Sequence, residues 1–147
     1  MSEAPSPLYV AEPPAVYLVR PALVVDCSVV SAVLFDEAAR DDALGLLRGK
    51  SLHAPHLLSH EIVSIALKKS KLGWTEESLA LALEDFALHD IDLHATNVQA
   101  QCQLALRYKL SAYDAAYLWL AAELKAPLVT FDAKLAAAAK THLASLS

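Results

Sequence analysis

The sequence predicts an α/β fold, a three-layer sandwich with a central, mostly parallel sheet. Two patterns carry that expectation. Short, apolar, β-branched runs such as ALVVD (22–26) and APLVTF (126–131) have the character of strands buried on both faces. Longer stretches with helical spacing separate such runs, and alternation of strand and helix is how parallel sheets with helices on both faces are built. A chain of 147 residues is long enough to bury roughly two-thirds of its unfolded surface around one core.

The elements are read in chain order. Residues 1–20 are proline-rich and suit an extended arm, leaving 21–147 as a single domain. After the strand at 22–26, residues 28–49 keep helical spacing with a break near Asp36. SLHAP (51–55) is a weaker strand stopped by Pro55, and HLLSHEIVSIALKKSKLG (56–73) is an amphipathic helix with lysines in its last turns and Gly73 beyond. Thr75 caps the helix EESLALALEDFALH, and IDLHA (91–95) is a strand. Thr96 with Gln99 forms a capping box for NVQAQCQLALRYK, and Ser111 opens the helix of LSAYDAAYLWLAA (110–122). Pro127 ends that helix before the strand at 126–131; DAKLAAAAKTHL follows as a helix, with a short edge strand at the very end of the chain.

Composition narrows the function. The chain is 56% hydrophobic with a mean hydropathy of +0.36, a surplus that suits burial against a partner chain or a second copy. Charges interrupt every apolar run before the ~18 residues of a membrane span. With 17 acidic against 12 basic residues and a net charge of −5, bulk electrostatics do not drive nucleic-acid binding. A small basic rim beside an acidic site remains compatible with that balance. Cys27 and Cys102 make no disulfide framework, and with no signal peptide in view the expected compartment is the reducing cytoplasm.

Four carboxylates stand out by position. Asp26 ends the strand ALVVD and Asp132 directly follows APLVTF, so both lie at the carboxyl edge of a sheet, where α/β proteins place their sites. Glu61 interrupts an apolar helix face shared with Leu57, Leu58, Ile65 and Lys68; Asp114 shares a face with Leu110, Tyr117, Leu118 and Ala121. Each has an ordinary alternative: Asp26 and Asp132 as helix N-caps, Asp114 inside a capping box, Glu61 reaching water from a helix surface. Jointly they describe an acidic pocket. Two unit charges 4 Å apart repel by about 1 kcal/mol in water and about 4 at an effective dielectric of 20. A hard divalent cation, Mg²⁺ or Mn²⁺, resolves that repulsion with an all-oxygen ligand set and suits hydrolysis of a phosphodiester.

Over roughly residues 22–145 these motifs resemble the PIN-domain family, and within it the VapC-type toxins of bacterial toxin–antitoxin pairs. VVDCSV looks like the family's opening Asp-x-Ser motif, LLSHEI like its helical glutamate, LSAYDAAYLWLA like its signature third acid and LVTFDAKL like its final aspartate. The resemblance implies a Mg²⁺- or Mn²⁺-dependent endoribonuclease acting on RNA, a homodimer held in check by a small VapB-type antitoxin. Asp26, Glu61, Asp114 and Asp132 would bind the metal, and Ser28 and Thr130 would orient carboxylates or water. Trp119 is bulkier than the residue usual at its position, so dimer packing or the pocket walls are expected to differ.

Other features are weighed beside these. Lys68, Lys69, Lys71, Arg107 and Lys109 are candidates for an RNA-backbone rim, with solvation of helix ends as the alternative. His53, His56 and His60 near Glu61 lack the spacing of a catalytic zinc helix, and are expected to face solvent or bond to backbone. Trp74 and Trp119 could stack on bases or pack into core and interface; Cys27 is taken as a buried thiol. Two rival functions stand beside the nuclease: a PIN-like binding module without turnover, and an Asp-based phosphotransferase using Asp26. The second is disfavoured because Ser28 stands where such enzymes carry another aspartate.

Overall fold

The computed structural model describes residues 20–146, so the expected arm, apart from Arg20, lies outside the described residues. Strand β1 (Ala22–Val25) leads into α1 (Cys27–Leu34) and α2 (Arg40–Leu47); β2 (Ser51–Pro55) leads into α3 (Leu57–Lys71) and α4 (Glu76–Leu88). Then β3 (Asp92–His94) leads into α5 (Val98–Tyr108) and α6 (Ala112–Leu124), and β4 (Leu128–Val129) into α7 (Ala133–Ala144). The sheet order is β3-β2-β1-β4, and every pairing is parallel. This is the expected α/β sandwich.

Apolar patterning explains the placement. β1 lies between two partners and its Val24 and Val25 are fully buried, as β-branched residues on a central strand should be. In α6, Ala115, Ala116, Tyr117, Leu118, Leu120 and Ala121 are all buried, so the helix is enclosed on nearly every side. It packs on β1 and β2 with α5 and α7 beside it, while α1 packs with α2, α3 and α4. The sheet is thereby covered on both faces.

Local chemistry sets the boundaries. The helix expected over 28–49 breaks where Asp36 adopts a left-handed φ of 52°. Gly73 takes φ 102° just beyond α3, a conformation that costs glycine nothing. Three expectations are corrected. The cap of α5 is Asn97, whose side chain accepts from Ala100 N at 2.9 Å; Thr96 sits one position outside and donates to Gln101 Oε1 at 2.7 Å. The last strand shrinks to Leu128–Val129, because Pro127 has no N–H to donate and Asp132 already begins a helix cap. The terminal edge strand does not form among the described residues: α7 runs to Ala144 and caps on Ser145. No helix among them is long and apolar enough to cross a membrane.

Leu58 is fully buried where α3 meets the sheet. Leu58→Ala is expected to cost about 2–5 kcal/mol in urea unfolding, whereas Leu67→Ala, at a position 62% exposed, should stay within about 0.5 kcal/mol.

Candidate active site

Four elements deliver the four acids. Asp26 follows β1 and caps α1, its side chain accepting from Val29 N; Asp132 follows β4 and caps α7, accepting from Leu135 N. Asp114 lies in the first turn of α6, where Ser111 is the cap and accepts from Asp114 N at 3.0 Å. Glu61 sits on α3. The capping alternatives therefore hold for both strand-end aspartates, and they do not compete with the pocket, because the first turn of each helix opens at the carboxyl edge of the sheet.

Asp26 is the most tightly held. It is 5% exposed. Its Oδ1 accepts from Ser28 Oγ at 2.6 Å and from Val29 N at 3.2 Å, and its Oδ2 accepts from Thr130 Oγ1. Thr130 Oγ1 in turn accepts from Asp132 N at 2.9 Å, and Ser28 Oγ accepts from Phe131 N at 3.0 Å. Ser28 and Thr130 thus tie the end of β1 to the turn after β4. On the opposite side, Tyr117 Oη donates to Glu61 Oε1 at 2.6 Å.

Charge and burial act on these groups together. Burial raises the pKa of Asp26 above the usual carboxylate value, against hydrogen bonds from Ser28, Thr130 and Val29 that lower it. Burial also raises Glu61, opposed by the Tyr117 hydrogen bond and reinforced by the charges of Asp26 and Asp114. Asp114 is raised by burial and then by Asp132 and Asp26, with Ser111 and Lys134 pulling the other way. Glu61 and Asp114 thus each feel other acids of the set. Among the described residues no ion pair within 4.0 Å engages any of them. Asp26 is buried, Glu61 and Asp114 are half-buried and Asp132 is exposed, an all-oxygen set of the kind that could hold a hard divalent ion.

Beside the acids lies a cavity of about 590 Å³ lined by Cys27, Leu57, His60, Glu61, Ser64, Ile65, Lys68 and Tyr113. The basic candidates are not gathered on its rim. Lys68 lines it; Lys69 instead places its ammonium 5.9 Å from the ring centroids of both Phe35 and Trp74. Lys71 and Lys109 are exposed, and Arg107 lines a separate groove with Trp119 and His142. Trp74 packs edge-on against Phe35, and Trp119 belongs to that other groove and not to the walls of this cavity. The Cys27 thiol is pushed up to about 12, by burial and then by Glu61 and Asp26, which leaves it protonated and poorly nucleophilic.

Two contributors escaped the sequence reading. Tyr117 was placed on the inward face as core, and its hydroxyl turns out to reach across to α3. Lys134, in the first turn of α7, lowers the pKa of Asp114; its position two residues after Asp132 is the available signal.

Comparison with known proteins identifies the family and the fold. The PIN domain family profile matches residues 23–141. "Ribonuclease VapC1" of Mycobacterium tuberculosis is 35% identical over 120 residues, covering 78% of this chain and 89% of that protein. "Ribonuclease VapC3" of Pyrobaculum aerophilum is 28% identical over 120 residues, covering 78% and 92% respectively. The crystal structure of PAE2754 from Pyrobaculum aerophilum superposes with a TM-score of 0.61 at 24% identity, over 86% of this chain and 90% of that one, a likeness of fold. With most of its length matched by the family profile and by these relatives, the chain belongs to the PIN-domain family, among its VapC-type members.

Proposed function

We propose that this protein is a Mg²⁺- or Mn²⁺-dependent endoribonuclease, the toxin of a toxin–antitoxin pair, working as a homodimer checked by a small antitoxin of the VapB type. One observation carries the reading: carboxylates come from four separate elements at the carboxyl edge of the sheet, Glu61 feels the charges of Asp26 and Asp114, Asp114 feels those of Asp132 and Asp26, and among the described residues none of the four is in an ion pair within 4.0 Å. Relatives named ribonucleases support the substrate class.

When bound, a divalent ion supplies water activation and shields the charge that develops on a phosphodiester. The chain's own groups supply the rest. Ser28, Thr130 and the Val29 amide hold both oxygens of Asp26 in one orientation, so the ligand geometry is set before substrate arrives. Tyr117 fixes one oxygen of Glu61; its phenol, driven far above its ordinary pKa by burial and by Glu61, stays a donor at any working pH. Lys68 meets a phosphate at the cavity rim, where the 62% exposed Tyr113 offers a face for stacking a base. Oδ1 of Asp26 accepts two hydrogen bonds and Oδ2 one, which leaves a lone pair on Oδ2 for the ion.

The direct test is cleavage of structured RNA with Mn²⁺ or Mg²⁺. Wild type is expected to cut, EDTA to stop it, and Asp26→Asn to lose activity beyond the roughly 10–100-fold typical of losing a supporting hydrogen bond. Tyr117→Phe keeps the ring's packing and is expected to fall within that roughly 10–100-fold range. Phosphate found covalently on Asp26, or no cleavage across a broad RNA panel, would overturn the nuclease reading.

A second prediction follows from the raised acids. Their charged forms are disfavoured in the fold, so the cost of ionisation is present above the raised pKa and is relieved as pH falls through it. In EDTA, Asp114→Asn should therefore melt higher than wild type at pH 8, with the gap narrowing as pH falls toward 3.8, the ordinary value of the group. Adding Mn²⁺ at pH 8 should reverse the order, because only the full acid set gains from the ion. Thermal melts at the two pH values, with and without Mn²⁺, read both effects.

A further inference from the structure

A second cluster of ligand-bearing side chains lies away from the four acids. β2 and β3 pair with His53 opposite Asp92 and Pro55 opposite His94. Strand alternation puts Ser51 and His53 on one face of β2, and Asp92 and His94 on one face of β3. They meet there. His53 Nδ1 lies 2.9 Å from His94 Nε2 and 3.9 Å from Asp92 Oδ2. One potential ligand atom from each of the three residues falls within 4.8 Å of the other two, the one such grouping among the described residues; the four acids are spaced more widely.

The donor set differs in kind from the acid pocket. Two imidazoles and one carboxylate suit a borderline transition ion and not Mg²⁺. Zinc–nitrogen bonds of about 2.0–2.1 Å in a tetrahedral site set two nitrogens about 3.4 Å apart. The His53–His94 contact would open by about half an ångström and the Asp92 oxygen would close by a similar amount, both within reach of side-chain rotation. Support for one imidazole is already present. His53 Nε2 lies 3.0 Å from Ser51 Oγ, and an Nε2–H donating to that hydroxyl leaves the Nδ1 lone pair facing His94 and Asp92. Burial, with His94 next to it, lowers the pKa of His53 despite the opposing pull of Asp92, favouring the neutral ring that metals bind. The Asp92 side chain is 72% exposed, so an ion has a path in.

We propose that His53, His94 and Asp92 form a second metal site, a three-ligand centre for Zn²⁺ or a similar transition ion that fastens the edge strand β3 to β2. That strand is three residues long, so one bridging ion adds a cross-link to a short hydrogen-bond ladder. The site shares no residue with the acid pocket and stands whether or not the chain cleaves RNA.

Zn²⁺ titration against a chromogenic chelator, at pH 7.5 and low protein concentration, tests it. One tight Zn²⁺ per chain is expected in wild type and in Asp26→Asn, and Co²⁺ in its place should give the intense visible bands of a tetrahedral ion. His94→Ala should lose that ion, and Ser51→Ala should weaken it roughly 10–100-fold. Imidazole ¹H–¹⁵N spectra of the unmutated chain decide the matter without depending on any variant's folding: the His53 Nδ1 and His94 Nε2 signals should move on adding one equivalent of Zn²⁺. Unmoved signals would overturn the proposal, as would equal Zn²⁺ binding in His94→Ala, or loss of the tight ion in Asp26→Asn, which would place it among the acids.

Discussion

The placement of one carboxylate, that of Asp26, governs the end of this sheet. It directly follows the strand β1, caps the next helix, and takes hydrogen bonds from Ser28 on α1 and from Thr130 after β4. Because Thr130 also accepts from the Asp132 amide, the orientation of the first acid and the start of the last helix are joined by a single hydroxyl. The arrangement keeps a charge that burial disfavours, and it is rigid for the same reason. A carboxylate with both oxygens engaged has few other places to go.

That rigidity carries a cost in stability. Hydrogen bonds offset only part of the burial penalty, since Asp26, Glu61 and Asp114 all remain raised above ordinary carboxylates. Regular proteins avoid such groupings, and those that keep them commonly do so at functional positions. Tyr117 shows how the surroundings adapt: a buried phenol in a mostly apolar helix lends its one donor to Glu61. Among the described residues no buried side-chain polar atom is left without a partner, so the strain in this region is electrostatic and not a matter of missing hydrogen bonds.

Much of this was legible in the residues. Alternating short apolar runs and capped helices predicted the parallel sheet, and the strand-end positions of Asp26 and Asp132 placed both at its carboxyl edge. The capping signals at Thr75 and Ser111 hold in the structure. What escaped was long-range or stereochemical. The Tyr117–Glu61 bond spans two helices, and spacing along one helix says only which face a residue occupies. Thr96 and Asn97 are both good caps one position apart, and the backbone's entry into α5 decides between them. The basic residues looked like a set because they are the same type, yet Lys69 lies over two aromatic rings and Arg107 lines another groove. Nothing in the spacing along the chain joins His94 to His53, since the register that unites them is a property of the sheet.

The sheet's two borders have a further consequence. One margin is β3, three residues long, and the other is β4, two residues long. Stubs of that size offer a visiting strand almost no ladder to extend, a recognised defence against edge-to-edge aggregation. Self-association by sheet continuation is thereby closed off, and helix surfaces are the natural ground for it. Val63 and Leu67, more than half exposed on α3, sit one turn apart on such a surface, where side-chain packing rather than backbone pairing would set the symmetry of any assembly.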